Sequence, residues 1–282
     1  MPNMMPIQAV PGFEVAVARG AFGPGRGVLV VGHGTADSVG ADETRRVAEL
    51  VGAALPEVSV ALGFLEVIGP TIAEALAELA AAGCREVVAA PLLLFDAGHA
   101  KRDVPEAIAQ PAAALGITVV RAGPLGCHPA IVELARRRRA EASEGHEPVA
   151  AAETALVMVG RGSSDPTAPA QLAGFTEATL AAESRPGRVL AGFVAAARPS
   201  VSEALAQAVE PSGGGIRRII VQPHLLFRGH VEEQVAAAVA AARAAWPGLE
   251  WLTVARLGPD PLVVRAVTER AVEALADAIG CG

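Results

Sequence analysis

The sequence is poor in the features that mark secreted, membrane and nucleic-acid-binding proteins. Its three cysteines, Cys84, Cys127 and Cys281, are far apart and never form a CxxC pair. That spacing excludes a disulfide framework and a zinc knuckle. Alanine-rich runs such as EALAELAAAG are broken by charges or glycine, so no stretch reaches the roughly 18 apolar residues that a membrane span needs. The first residues lack a basic start followed by a long apolar run, which argues against a signal peptide and for the cytoplasm. Lysine plus arginine number 23 against 30 acidic residues, a formal net charge of −7. A phosphate backbone is therefore not an expected partner, and the run Arg136 to Arg139 reads as the solvated face of a helix. There is no GxxxxGK[ST] loop to cradle a nucleotide.

What is present is apolar and periodic. At 282 residues and 52% hydrophobic, the chain has material for two domains, each with its own core. Runs of β-branched residues alternate with helical patterns: strand GVLVVG, helix DETRRVAELVGAAL, strand VSVALGFLE, helix TIAEALAELAAAG, strand EVVAAPLLLF, helix RDVPEAIAQPAAAL, strand ITVVRAG and helix PAIVELARRRRAEA. The second half repeats this order from ALVMVG to PLVVRAVTERAVEALADAI. Gly32 and Gly160, Phe64 and Phe193, and Pro91 and Pro223 align the copies at offsets of 128, 129 and 132 residues, so the chain is an internal duplication.

The pattern predicts an α/β protein of two tandem, doubly wound domains, each with a parallel four-stranded sheet, and a cleft between the halves. Residues 1–27 form a loose extension, 28–140 the first domain, 141–154 a linker and 155–282 the second domain. Two joined copies replace a dimer of single modules, so a monomer is expected.

Ligands of open α/β sheets bind outside the carboxyl ends of the strands. His33 stands at the end of the first strand, Glu66 at the end of the second and His99 just past the third. Two imidazoles and a carboxylate suit a divalent first-row metal ion. In the other copy Arg161 stands at the His33 position and Ala195 at the Glu66 position, and only His230 matches His99. A purely structural need would have kept all three. Glu66 has a competing reading as the cap of the following helix. The single lysine, Lys101, and Arg102 follow His99, while Arg161 and Arg228 occupy matching loops of the second half, a set of cations suited to a polycarboxylate. Among the other histidines, His128 is expected as a cap or core residue, His146 in the linker and His224 packed within a strand.

VVGHGTADS, GFLEVIGPTIAEAL and PLLLFDAGHAKRDVPEAI together resemble the CbiX-type sirohydrochlorin chelatases, in the long two-domain form. The resemblance implies a class II chelatase-like fold and insertion of Co²⁺ or Fe²⁺ into sirohydrochlorin without ATP, in cobalamin or sirohaem biosynthesis. It implies metal ligation by His33 and His99, with Glu66 assisting as base or ligand. Lys101, Arg102, Asp103 and Arg161 are assigned to the substrate, and no organic cofactor is expected. A non-catalytic metal or tetrapyrrole carrier is the alternative. Histidine phosphatases also place a histidine at a first strand end, but they need arginine immediately before it, where this chain has Gly32.

Overall fold

The computed structural model describes residues 22–95, 100–180, 185–210 and 215–280. The chain forms two four-stranded parallel sheets. The first contains β1 (Arg26–Gly32), β2 (Ser59–Phe64), β3 (Glu86–Pro91) and β4 (Thr118–Arg121), ordered β2-β1-β3-β4. The second contains β5 (Thr154–Gly160), β6 (Arg188–Phe193), β7 (Arg218–Pro223) and β8 (Glu250–Thr253), ordered β6-β5-β7-β8. The helices are α1 (Ser38–Ala54), α2 (Ile72–Ala81), α3 (Ala100–Leu115), α4 (Pro129–Ser143), α5 (Ala168–Ala178), α6 (Val201–Val209), α7 (His230–Ala245) and α8 (Pro261–Gly280). A short 3-10 turn, Ala151–Glu153, leads into β5.

Each sheet is buried on both faces, which explains the unbroken apolar strands. In the first unit, alternate residues Leu29, Val31, Val87 and Ala89 pack with Ile72, Leu76 and Leu79 of α2 and Val104 and Ile108 of α3. The opposite face is covered by α1 and by α8, which packs on β3 and β4. In the second unit, Val157, Val159, Ile219 and Val221 pack with α6 and α7. Its other face, with Leu156, Ile220 and Leu252, is joined by Ala142 of α4 and by Leu180.

The compact units thus differ from the expected boundaries. One comprises Met1–Ala130 with Pro259–Gly282, and the other Ile131–Gly258. The last helix of each sequence repeat belongs to the other repeat's unit. The cause lies in which sheet face each apolar stripe covers: Ile131, Leu134 and Ala135 of α4 are buried, as are Val263, Val264, Val267 and Ala271 of α8. The expected linker is also shorter, because α4 runs to Ser143 and β5 begins at Thr154. Likewise β1 starts at Arg26, inside the expected extension.

The arginine run of α4 is not simply a solvated face. Arg139 donates from Nε to Gln222 Oε1 at 2.8 Å and from Nη2 to Thr179 Oγ1 at 2.7 Å. Arg136 donates to the carbonyls of Ala178 and Thr179, covering the free carbonyl end of α5. Burial, with the neighbouring charge of Arg136, pushes the Arg139 guanidinium down to about 10. These bonds hold α4 on the second sheet.

Candidate active site

In the first sheet β1 lies between β2 and β3, so the chain winds from β1 in both directions and a crevice opens beyond its carboxyl end. Gly32 is in register with Phe64, which puts the residues that follow each strand side by side. The ladder continues past the strands: Leu65 N–H donates to Gly32 O at 3.0 Å, and Glu66 N–H to His33 O at 3.1 Å. A Cβ added at Gly32 would come within 2.9 Å of the Phe64 ring, so the two loops close over each other without a side chain between them.

This frame brings two of the expected residues together. His33 Nδ1 lies 3.3 Å from Glu66 Oε1, with both side chains substantially exposed. Helix capping is not the task of Glu66. Thr71 caps α2 in a reciprocal box with Glu74, whose carboxyl is held below its ordinary range by the Thr71 backbone N–H and, secondly, by its hydroxyl. The loop after His33 leads into α1 through Asp37, whose Oδ1 accepts from Gly40 N at 2.8 Å.

His99 lies outside the described residues, together with Gly98. Lys101, whose side chain is likewise not described, is the second residue of α3, and Arg102 and Asp103 follow it, exposed in the first turn. Asp103 there complements the positive end of the helix.

The second unit repeats the frame with different side chains. Val194 N–H donates to Gly160 O at 3.1 Å and Ala195 N–H to Arg161 O at 3.0 Å. Arg161 is exposed at the position of His33. His230 opens α7 and is exposed, with Nδ1 3.5 Å from Glu233 Oε2 and Nε2 2.9 Å from Gln234 Nε2, both on its own helix.

The match of both repeats to one sequence profile decides the family: the CbiX profile covers residues 27–142 and again 155–274. The chain belongs to the CbiX family. Among its relatives, the sirohydrochlorin cobaltochelatase of Priestia megaterium is 27% identical over 251 residues, covering 89% of this chain and 80% of that protein. The sirohydrochlorin ferrochelatase of Bacillus subtilis strain 168 is 28% identical over 255 residues, covering 90% and 93%. In structure the chain is similar to SirB from Bacillus subtilis with Fe³⁺, with a TM-score of 0.77, 26% identity and coverage of 90% of this chain and 97% of that one. The class II chelatase fold expected from the three motifs is the fold observed.

The other histidines of this CbiX protein have structural surroundings. His128 is 2% exposed, accepts from Ala130 N at Nδ1 and meets Glu269 Oε2 at 3.1 Å from Nε2, so it caps α4 as expected. Burial lowers its pKa. His224 follows β7 rather than lying within it, and its ring packs against Phe175 at a tilt of 37°, with centroids 3.9 Å apart. Burial pushes it down to about 3. His146 meets Glu250 Oε1 at 2.7 Å. Sequence reasoning missed two features of the site: the approach of Gly34 to the Glu66 backbone, and the backbone of Val67. Only the glycine at 34 signalled the first.

Proposed function

We propose that this protein inserts Co²⁺ or Fe²⁺ into sirohydrochlorin, with the metal and the tetrapyrrole both as substrates. The observation that carries the reading is the His33–Glu66 pair at the switch point of the first sheet, set against Arg161 and Ala195 in an identical backbone frame. The cobaltochelatase and ferrochelatase relatives support the same activity.

Chelation requires that two pyrrole N–H protons leave while the ion exchanges water for four ring nitrogens. A neutral imidazole suits both tasks near pH 7. With the Nδ1 proton facing Glu66, the Nε2 lone pair of His33 is left to hold the metal or, once the metal has passed to the ring, to accept a proton, and the carboxylate fixes the tautomer. Glu66 therefore orients His33. His99 is the second metal ligand in this reading, and Lys101 and Arg102, with Asp103 next in the chain, are assigned to the carboxylates of the macrocycle. No organic cofactor takes part, and the protein acts without nucleic acid or membrane, as a cytoplasmic monomer. No helix among the described residues is long and apolar enough to cross a membrane.

The test is an anaerobic absorbance assay with sirohydrochlorin and either Co²⁺ or Fe²⁺, against a blank without protein. The expected result is metallated product above the blank rate, abolished by His33→Ala. Spectral binding of the macrocycle with no rate above the blank would instead make the protein a carrier.

A further inference from the structure

Among the described residues, the exposed large apolar side chains are Val39, 41% exposed, and Val67, 65% exposed. Val39 lies in the first turn of α1, the helix that the His33 loop enters, and Val67 directly follows Glu66. Val67 also has φ +70°. It is the middle of a three-residue turn in which Ile68 N–H donates to Glu66 O at 2.8 Å. Such a turn with positive φ at its centre is rare and strained, and for a β-branched residue positive φ is a genuine outlier.

The second repeat shows that the loop, not the valine, imposes this backbone. Ala196 occupies the corresponding position with φ +55°. There the sequence uses a residue that bears the conformation more easily, beside a site that has lost its histidine and carboxylate. In the first repeat a costlier residue is kept, and burial within the chain does not offset its strain. An apolar side chain held in water against its own backbone preference, next to reactive groups, gains its stabilisation when a ligand covers it.

We propose that Val67 seats the apolar ring face of the tetrapyrrole beside the His33–Glu66 pair. This rests on the chelatase reading for the identity of the ligand. The macrocycle is flat and apolar in its body and anionic at its rim, so cations grip its edge while its face needs an apolar support.

The test compares Val67→Ala, Val67→Asn and, as a control, Ala196→Val with the wild type. Three quantities are read: sirohydrochlorin affinity by absorbance titration without metal, KM for each substrate, and Tm. For the two Val67 variants, affinity falls and KM for sirohydrochlorin rises about 15-fold, the effect of removing two methyl groups from an apolar contact. KM for the metal stays constant, and Tm rises because alanine and asparagine bear positive φ better. Ala196→Val lowers Tm and leaves sirohydrochlorin affinity unchanged. Unchanged affinity in both Val67 variants overturns the inference and leaves the chelatase reading standing. Wild-type binding without turnover sinks the chelatase reading alone, and a wild type that does not bind sirohydrochlorin overturns both.

Discussion

The backbone oxygen of Glu66 occupies the place where a side chain on Gly34 would begin: a Cβ built on Gly34 would lie 1.9 Å from it. Gly34 also has φ +97°, outside the range of ordinary L residues. Gly162 stands in the same relation to Ala195 O, at 1.8 Å with φ +85°. The glycines that flank His33 and Arg161 are therefore demanded by loop packing in both repeats, whatever the chemistry of the neighbouring side chain.

Gly34→Ala and Gly162→Ala should each destabilise the protein by about 2 to 4 kcal/mol, since each combines a disallowed φ with a backbone clash. Their effects on turnover should separate. Measured per folded molecule, Gly34→Ala removes activity by spreading the loops that hold His33 and Glu66, whereas Gly162→Ala keeps most of it. Equal loss in both would show that the second repeat shares the chemistry.

Removing the carboxylate should be milder than removing the imidazole. Glu66→Gln keeps a polar partner for His33 Nδ1 but not its charge, so turnover should fall about 10- to 100-fold with the fold unchanged by circular dichroism. His33→Ala should reduce the rate to the blank. A wild-type rate for Glu66→Gln would remove the orienting role assigned to it.

Much of this was legible in the chain before any coordinates. Strand and helix periods located all sixteen principal elements among the described residues. Gly32 and Phe64 aligned the copies, and their register in neighbouring strands is what brings His33 to Glu66. The exchange of α4 and α8 was not legible, because an apolar stripe such as Ile131, Leu134 and Ala135 says that a helix must cover something, not which sheet it covers. Arg139 was misread for a related reason: in sequence a charge run resembles a wet surface, and its partners Gln222 and Thr179 are 83 and 40 residues away. Val67 gave no sign of positive φ, since valine is the residue least expected there.

Acid should destabilise the fold through His224. Burial lowers its pKa to about 3 from an ordinary value near 6.5. The unfolded chain therefore binds a proton below about pH 6.5 that the folded chain refuses until about pH 3, and stability falls with decreasing pH across that window. The unfolding equilibrium should shift roughly tenfold per pH unit from this group. Urea titrations at pH 7 and pH 4.5 should show a smaller loss for His224→Leu, which installs the residue found at the matching position 92. An equal loss would place the acid sensitivity elsewhere.

A fragment ending at residue 154 retains β1 to β4 but loses α8, which covers one face of that sheet. It also keeps α4, whose apolar stripe then lacks its own sheet. The fragment should not be a folded monomer by size-exclusion chromatography and should form a dimer or aggregate. A well-dispersed monomeric fragment with native thermal stability would contradict the exchange.

The exchanged helices also bear on how far the two copies could diverge. One copy of a duplicated module is ordinarily free to diverge when the other holds the fold and the site unaided. Here decay of the Arg161 copy would uncover a face of the His33 copy, since the closing helix of each repeat is a wall of the other's house. Substitutions at its loop ends escape that penalty and substitutions in its core do not. Replaceable loop ends and an indispensable core thus coexist in one half of the chain, which is the pattern its residues display: glycines and apolar strands intact, Arg161 and Ala195 at the positions of His33 and Glu66.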